Sequence, residues 1–209
     1  MPQPPTLKII EVFPSLQGEG LRQGELAIFI RFSGCNLRCS FCDTRYAWRG
    51  GKDLTVGQIL REVRKIRRRF PAEWVCLTGG EPLLQDIAGL AAGLRREGLK
   101  VQVETNATMF RSFAADWITV SPKPPRFFWR PEFKKRTKEV KLIVTKSLRF
   151  ETVARLRREF PRQIPLLLQP ESNARWSVQK ALRVLHRAAK GGLKNVRFSP
   201  QLHKICGWR

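Results

Sequence analysis

No apolar run in this sequence approaches the ~18–20 residues that a membrane-spanning helix needs. The N-terminal stretch MPQPPTLKIIEVF lacks the basic patch followed by an uninterrupted apolar segment that marks a secretory signal. A soluble, cytoplasmic protein with no membrane partner is therefore expected. Acidic residues are scarce: 17 Asp and Glu stand against 40 Lys and Arg, a formal net charge of +23. Such an imbalance raises an anionic partner such as nucleic acid. The bases are dispersed, however, recurring at Arg61, Arg64, Lys65, Arg67, Arg68 and Arg69, again at Arg155, Arg157 and Arg158, and at Lys134, Lys135 and Arg136. No tail gathers them, so a solvated Arg-rich surface is the favoured reading and a nucleic-acid partner the less favoured one.

A closed set of zinc ligands is missing too. No second Cys-x2-Cys or Cys/His pair exists, and His186 and His203 lie far along the chain. The five cysteines are an odd number, which excludes complete pairing within the chain. Three of them, Cys35, Cys39 and Cys42, fall within one short segment, and without a secretion signal that clustering argues for ligation over a disulfide framework. A length of 209 residues at 42% hydrophobic content suits one domain, 1–209, with a sizeable core.

Apolar and β-branched runs at 26–32, 73–78, 101–105, 117–121, 140–145, 164–169 and 195–199 read as strands. Helical spacing predicts helices over 55–70, 85–97, 151–160 and 176–189, the first with Thr55 as a cap. The repeating strand–helix order implies a mainly parallel sheet with helices on its face. Segments 106–116 and 122–139 are too short or too rich in proline for full crossover helices, so eight complete units are not reached. The expectation is an α/β fold, a partial, incomplete TIM-like βα barrel, with function at the C-terminal ends of its strands.

Cys35, Cys39 and Cys42 follow the strand 26–32 at Cys-x3-Cys-x2-Cys spacing, in FSGCNLRCSFCDT. Three thiolates on a short loop suit three irons of a [4Fe–4S] cubane and leave the fourth open to an external chelator. Zinc, or thiols with no metal, are the alternatives. Thr78, Gly79, Gly80, Glu81 and Pro82 end the strand 73–78, and small residues there let backbone polar groups approach a ligand closely. A Gly-Gly-Glu-Pro string alone could be just a turn; the two motifs in order, each after a strand, are strong together.

The cysteine spacing followed by Gly-Gly-Glu-Pro resembles the radical S-adenosylmethionine (SAM) superfamily. That resemblance implies that SAM chelates the open iron and is cleaved by one electron to an adenosyl radical. A narrower resemblance is carried by SLQGEG (15–20), Arg31, Cys42-Asp43-Thr44, ETNAT (104–108), SPK (121–123), LQPES (168–172) and QLHK (201–204). These segments are similar to those of the 7-carboxy-7-deazaguanine synthase family of the 7-deazapurine (queuosine precursor) pathway, from about residue 9 to the C-terminus. The resemblance implies a lyase that converts 6-carboxy-5,6,7,8-tetrahydropterin to 7-carboxy-7-deazaguanine with loss of ammonia, using SAM as a reusable cofactor. It also implies Mg²⁺, a flavodoxin or ferredoxin type electron donor, and a homodimer.

Carried over position by position, the resemblance makes Cys35, Cys39 and Cys42 the cluster ligands and Thr44 a Mg²⁺ ligand. Gly80, Ser121, Pro122, Lys123, Gln169, Pro170, Glu171 and Ser172 become SAM contacts, with Glu104 and Thr105 weaker candidates for the same pocket. Leu16, Gln17, Gly18, Arg31, Thr78, His203 and the terminal Arg209 become substrate contacts. No side chain is assigned as catalytic, because the radical does the chemistry. Cys76 reads as a core residue, His186 as surface, and the six Trp as core or interface. Two other functions compete: a radical SAM activase that installs a glycyl radical on a partner, and a basic nucleic-acid-binding module.

Overall fold

Thr6–Leu16 forms the first strand, β1, where mixed polarity and Pro14 left no strand signal in the sequence. The reason lies in its neighbours. Only its first residues, Thr6 to Ile9, pair with the following edge strand, while Ile9 to Leu16 pair with the strand inward. Pro14, lacking an N–H, therefore lies where one side of β1 has no ladder to complete. The computed structural model describes residues 4–208, and these divide into two compact units.

The first unit comprises Met1–Leu16, Glu25–Thr105 and Met109–Ile118. Besides β1 it holds β2 (Leu26–Phe32), β3 (Lys52–Thr55), β4 (Trp74–Gly79) and β5 (Lys100–Thr105). Their order is β3-β1-β2-β4-β5, with β1 antiparallel to both neighbours and β2, β4 and β5 mutually parallel. The mainly parallel sheet expected from the sequence is present, with β1 its antiparallel member; β1 and β3 are strands that the sequence did not reveal. One face is dry: Ile28, Ile30, Val75, Leu77, Val101 and Val103 are fully buried, each worth about 1.5–3 kcal/mol of apolar burial.

Helix α1 (Val56–Arg67) starts where Thr55 accepts from Gln58 N and the Gln58 side chain accepts from Thr55 N, a complete capping box. It buries Ile59 and Val63 and leaves its basic face exposed, with Lys65 paired to Glu62 and Arg64 to Glu97. Helix α2 (Ala88–Arg96) begins three residues later than its periodicity suggested. Pro82–Leu84 makes a 3-10 turn instead, and the Gln85 side chain is spent on Lys8 and Ser33 of the sheet.

The second unit comprises Gln17–Gly24, Asn106–Thr108 and Thr119–Arg209. Strands β7 (Glu139–Val144), β8 (Leu166–Pro170) and β9 (Val196–Phe198) run parallel in that order, after the last residues of β6 (Trp117–Val120). Helices α3 (Phe150–Glu159) and α4 (Arg175–Lys190) pack together, α4 lying on β7, β8 and β9, and a short α5 (Leu202–Ile205) follows. The stretches 106–116 and 122–139 contain no α-helix, as expected, only a 3-10 turn at Pro131–Phe133. Arg157 of α3 is buried, and its guanidinium donates to the carbonyls of Ile164, Phe160, Pro161 and Asn195. Burial pulls the pKa of that guanidinium below its ordinary value. Cys76 is buried and His186 exposed, as read from the sequence, but none of the six Trp is fully buried. Among the described residues no helix is long and apolar enough to cross a membrane.

Candidate active site

In the first unit the three cysteines sit on the irregular segment between β2 and the 3-10 turn Arg45–Trp48. Cys35, Cys39 and Cys42 are all partly exposed, and none is in a disulfide. The loop is turned by Arg38, whose φ is 45°, and tied by Cys42 N–H donating to Cys39 O at 3.0 Å. Thr44 N–H points at Cys42 Sγ at 3.4 Å. Among the described residues no three or more of His, Cys, Asp and Glu converge on a metal position. The donor set itself fits a cubane: three partly exposed thiols, none in a disulfide, on a loop with no regular structure to resist their gathering.

The Gly-Gly-Glu-Pro segment is clamped beneath that loop. Gly80 N–H donates to Phe32 O at 3.0 Å and Glu81 N–H to Gly34 O at 2.8 Å. A Cβ on Gly80 would lie 1.8 Å from Gly34 O and 3.2 Å from Cys35 N, and Gly79 has φ +122°. Both glycines are thus required by backbone packing against the root of the cysteine loop, before any ligand is considered. Glu81 is buried; its Oε1 accepts from Thr105 Oγ1 at 2.7 Å and from Leu83 N–H at 3.1 Å. Thr105, the weaker candidate of the sequence, accordingly braces the motif.

The sheet face opposite the dry one carries a polar row. Glu11 of β1 pairs in register with Arg31 of β2, and Arg31 with Thr78 of β4. Arg31 Nε donates to Glu11 Oε1 at 2.8 Å, Tyr46 OH donates to the same oxygen at 2.8 Å, and the guanidinium lies over the Phe13 and Tyr46 rings. Glu104, on β5, receives Gln102 Nε2 at 3.3 Å and lies 3.7 Å from Cys76 Sγ. Arg31, Thr78 and Glu104 are all half-buried, as suits a face that meets a polar ligand. Thr44 Oγ1 donates to Asp43 Oδ1 at 3.0 Å. Leu16 ends β1, half-buried.

In the second unit residues 17–20, the end of SLQGEG, and QLHK, far apart in sequence, fold onto each other. Leu202 N–H donates to Gly18 O at 2.8 Å, and a Cβ on Gly18 would lie 2.0 Å from His203 Nδ1. Gln17 is buried, and its side chain accepts from Glu19 N–H at 3.1 Å. Glu19 pairs with the buried Lys141 of β7 and also accepts from Gln201 Nε2 at 2.7 Å. Gly20, at φ +78°, packs against the Glu139 carboxylate, which accepts from Leu21 N–H and Thr119 Oγ1. The motif therefore has an internal physical logic: two glycines for close approach, one carboxylate for a buried ammonium whose loss of partner would cost several kcal/mol.

The remaining SAM candidates stand at strand ends of the same unit. Ser121 Oγ donates to Lys141 O at 2.7 Å and accepts from Lys123 Nζ; Pro122 is buried between them. Gln169 is 1% exposed and its Oε1 has no protein partner; Ser199, 3% exposed and bonded through its N–H to Leu168 O, carries an equally unpartnered Oγ. Two orphaned polar atoms at neighbouring strand ends suit a ligand that supplies the missing bonds. Pro170 is buried, Glu171 N–H is held by the buried Ser177, and Ser172 is exposed with φ 50°. Lys180 Nζ caps the carbonyls of Thr145 and Lys146; burial and then Arg183 hold its pKa below the ordinary lysine range. Cys206 is exposed, and Arg209 lies outside the described residues. The sequence reading missed Glu11 and Ser199: Glu11 because β1 went unseen, Ser199 because nothing local marks it.

Comparison with known proteins agrees with this arrangement. The Radical SAM superfamily profile matches residues 29–203. A 7-carboxy-7-deazaguanine synthase of Aquifex aeolicus is 36% identical over 203 residues, covering 93% of this chain and 90% of that protein. One from Synechocystis is 31% identical, covering 96% and 93% respectively. The crystal structure of QueE from Escherichia coli superposes with a TM-score of 0.78 at 27% identity, covering 95% of each chain. The fold is accordingly the partial βα barrel of the radical SAM type, a family whose chemistry rests on a [4Fe–4S] cluster and SAM. The chain belongs to the radical SAM superfamily and, within it, to the 7-carboxy-7-deazaguanine synthase family.

Proposed function

We propose that this chain is a lyase that converts 6-carboxy-5,6,7,8-tetrahydropterin to 7-carboxy-7-deazaguanine, with loss of ammonia, in 7-deazapurine biosynthesis. The observation that carries the reading is the contact of Gly18 with His203, which joins SLQGEG to the QLHK tail, a combination far more specific than SLQGEG alone. When bound, the cluster and SAM supply a one-electron cleavage that yields an adenosyl radical; the protein's part is to hold and to exclude. Cys35, Cys39 and Cys42 hold the cluster, and Gly79 and Gly80 let the Gly-Gly-Glu-Pro backbone seat the loop. Gln169 through Ser172, with Ser121, Pro122 and Lys123, serve SAM.

Arg31, its Nε fixed by Glu11, meets the substrate carboxylate, a role suited to a guanidinium fork. Thr78 continues the same row, and Gln17, Gly18 and His203 close on the pterin. Thr44 serves a Mg²⁺ with few protein ligands, with Asp43 beside it. A homodimer, a flavodoxin or ferredoxin type donor and a cytoplasmic location complete the reading. The test is anaerobic reconstitution followed by incubation with SAM, Mg²⁺, reductant and carboxytetrahydropterin. A product whose mass matches the carboxylated deazapurine, with SAM regenerated, is expected. Irreversible SAM cleavage without that product, from protein loaded with its full cluster, refutes the assignment.

A further inference from the structure

We infer that Asn173 is a positioning residue that couples SAM binding to the ordering of the substrate-closing tail. The inference rests on the function proposed above, since it takes Gln169 to Ser172 as the SAM segment and His203 as a substrate contact. Asn173 follows that segment directly. Its Nδ2 donates to Gln201 O at 2.8 Å and its Oδ1 accepts from Gln201 N–H at 2.9 Å. One side-chain amide thus pairs with both the N–H and the C=O of a single residue, Gln201, as a strand neighbour would. A second tie runs parallel to it: Lys204 Nζ donates to Ser172 Oγ at 3.1 Å.

The clamp is held in a constrained backbone. Ser172 and Asn173 have φ values of 50° and 54°, a consecutive left-handed pair. Non-glycine residues adopt this region at a cost, asparagine more readily than most, and here the pair turns the Asn173 amide toward the tail. On the other side, Gln201 adjoins Leu202, whose N–H is bonded to Gly18 O, and His203, whose ring is packed on Gly18. A ligand seated on Gln169 to Ser172 therefore selects the backbone that presents Asn173. Asn173 in turn fixes the register in which His203 lies against Gly18. By linkage the effect is reciprocal: SAM and the pterin each raise the affinity of the other. Two neutral hydrogen bonds acting on one residue make that coupling on the order of tenfold.

The test uses the full-length protein with its cluster assembled but left oxidised, so that no turnover occurs. SAM affinity is measured by equilibrium dialysis with and without saturating carboxytetrahydropterin, for wild type, Asn173→Ala and Lys204→Ala. Wild type is expected to show roughly a tenfold gain in SAM affinity, and Asn173→Ala a gain near unity with its SAM affinity alone little changed. Lys204→Ala should fall between. Backbone hydrogen exchange of the 199–208 peptide supplies a second readout that needs no substrate. SAM alone should slow exchange there in wild type and leave it unchanged in Asn173→Ala. Undiminished coupling and protection in the variant overturn the inference while leaving the assigned reaction intact. A wild-type protein that binds SAM but not the pterin overturns both.

Discussion

Replacing Gly80 with alanine should dismantle the seat of the cysteine loop. The new Cβ would lie 1.8 Å from Gly34 O and 2.5 Å from Gly34 C, whereas carbon and oxygen ordinarily approach to ~3.3 Å. Gly34 must retreat by roughly 1.5 Å to restore that contact. That movement breaks Gly80 N–H to Phe32 O and Glu81 N–H to Gly34 O, now 3.0 and 2.8 Å. Each lost bond costs about 1 kcal/mol net and more where its partner stays buried, so roughly 3–5 kcal/mol is at stake. At about 2–4 °C per kcal/mol for a protein of this size, apo-protein melting should fall by roughly 6–20 °C. Because Cys35 adjoins Gly34, iron uptake on anaerobic reconstitution should fall as well. Gly98→Ala is the control: φ is +75° with no atom within 4 Å of its would-be Cβ, so it should cost about 1–2 kcal/mol and leave iron content intact. A Gly80→Ala protein that melts like wild type and takes up full iron would refute the steric reasoning.

Two further outcomes are expected. Arg157→Leu removes the donor for the carbonyls of Ile164, Phe160, Pro161 and Asn195; a loss of about 3 kcal/mol should appear in urea unfolding, and coincident midpoints would contradict it. Glu11→Gln keeps the shape beside Arg31 but discharges its partner at 2.8 Å, so KM for the pterin should rise about tenfold with kcat little changed. An unchanged KM would mean that Glu11 does not position the guanidinium for substrate.

Much of the framework was legible because its signals are local. The apolar, β-branched run at 26–32 and helical spacing in 55–70 placed β2 and α1 to within a few residues, and Thr55 was legible as the helix cap. What failed was non-local: β1 holds its place through pairing on both sides, and Gln85 left its helix to bond Lys8 and Ser33. The indoles, read as core or interface, are partly exposed at five positions and exposed at Trp208, as amphipathic rings often are.

The site divides along the same line. Ligand identity is a matter of covalent chemistry and spacing, so Cys35, Cys39 and Cys42 could be read as a three-thiol loop with no coordinates at all. The sequence likewise presented Gly-Gly-Glu-Pro, SLQGEG and QLHK as separate strings. Only the tertiary structure decided why they contain the residues they do. Gly80 is glycine because Gly34 O occupies the space of a Cβ, and Gly18 because His203 does, 185 positions away (203 − 18). Close approach between distant segments leaves no periodic trace in a chain; it exists only once the backbone has folded, and it is there that Glu11 finds Arg31 and Asn173 finds Gln201.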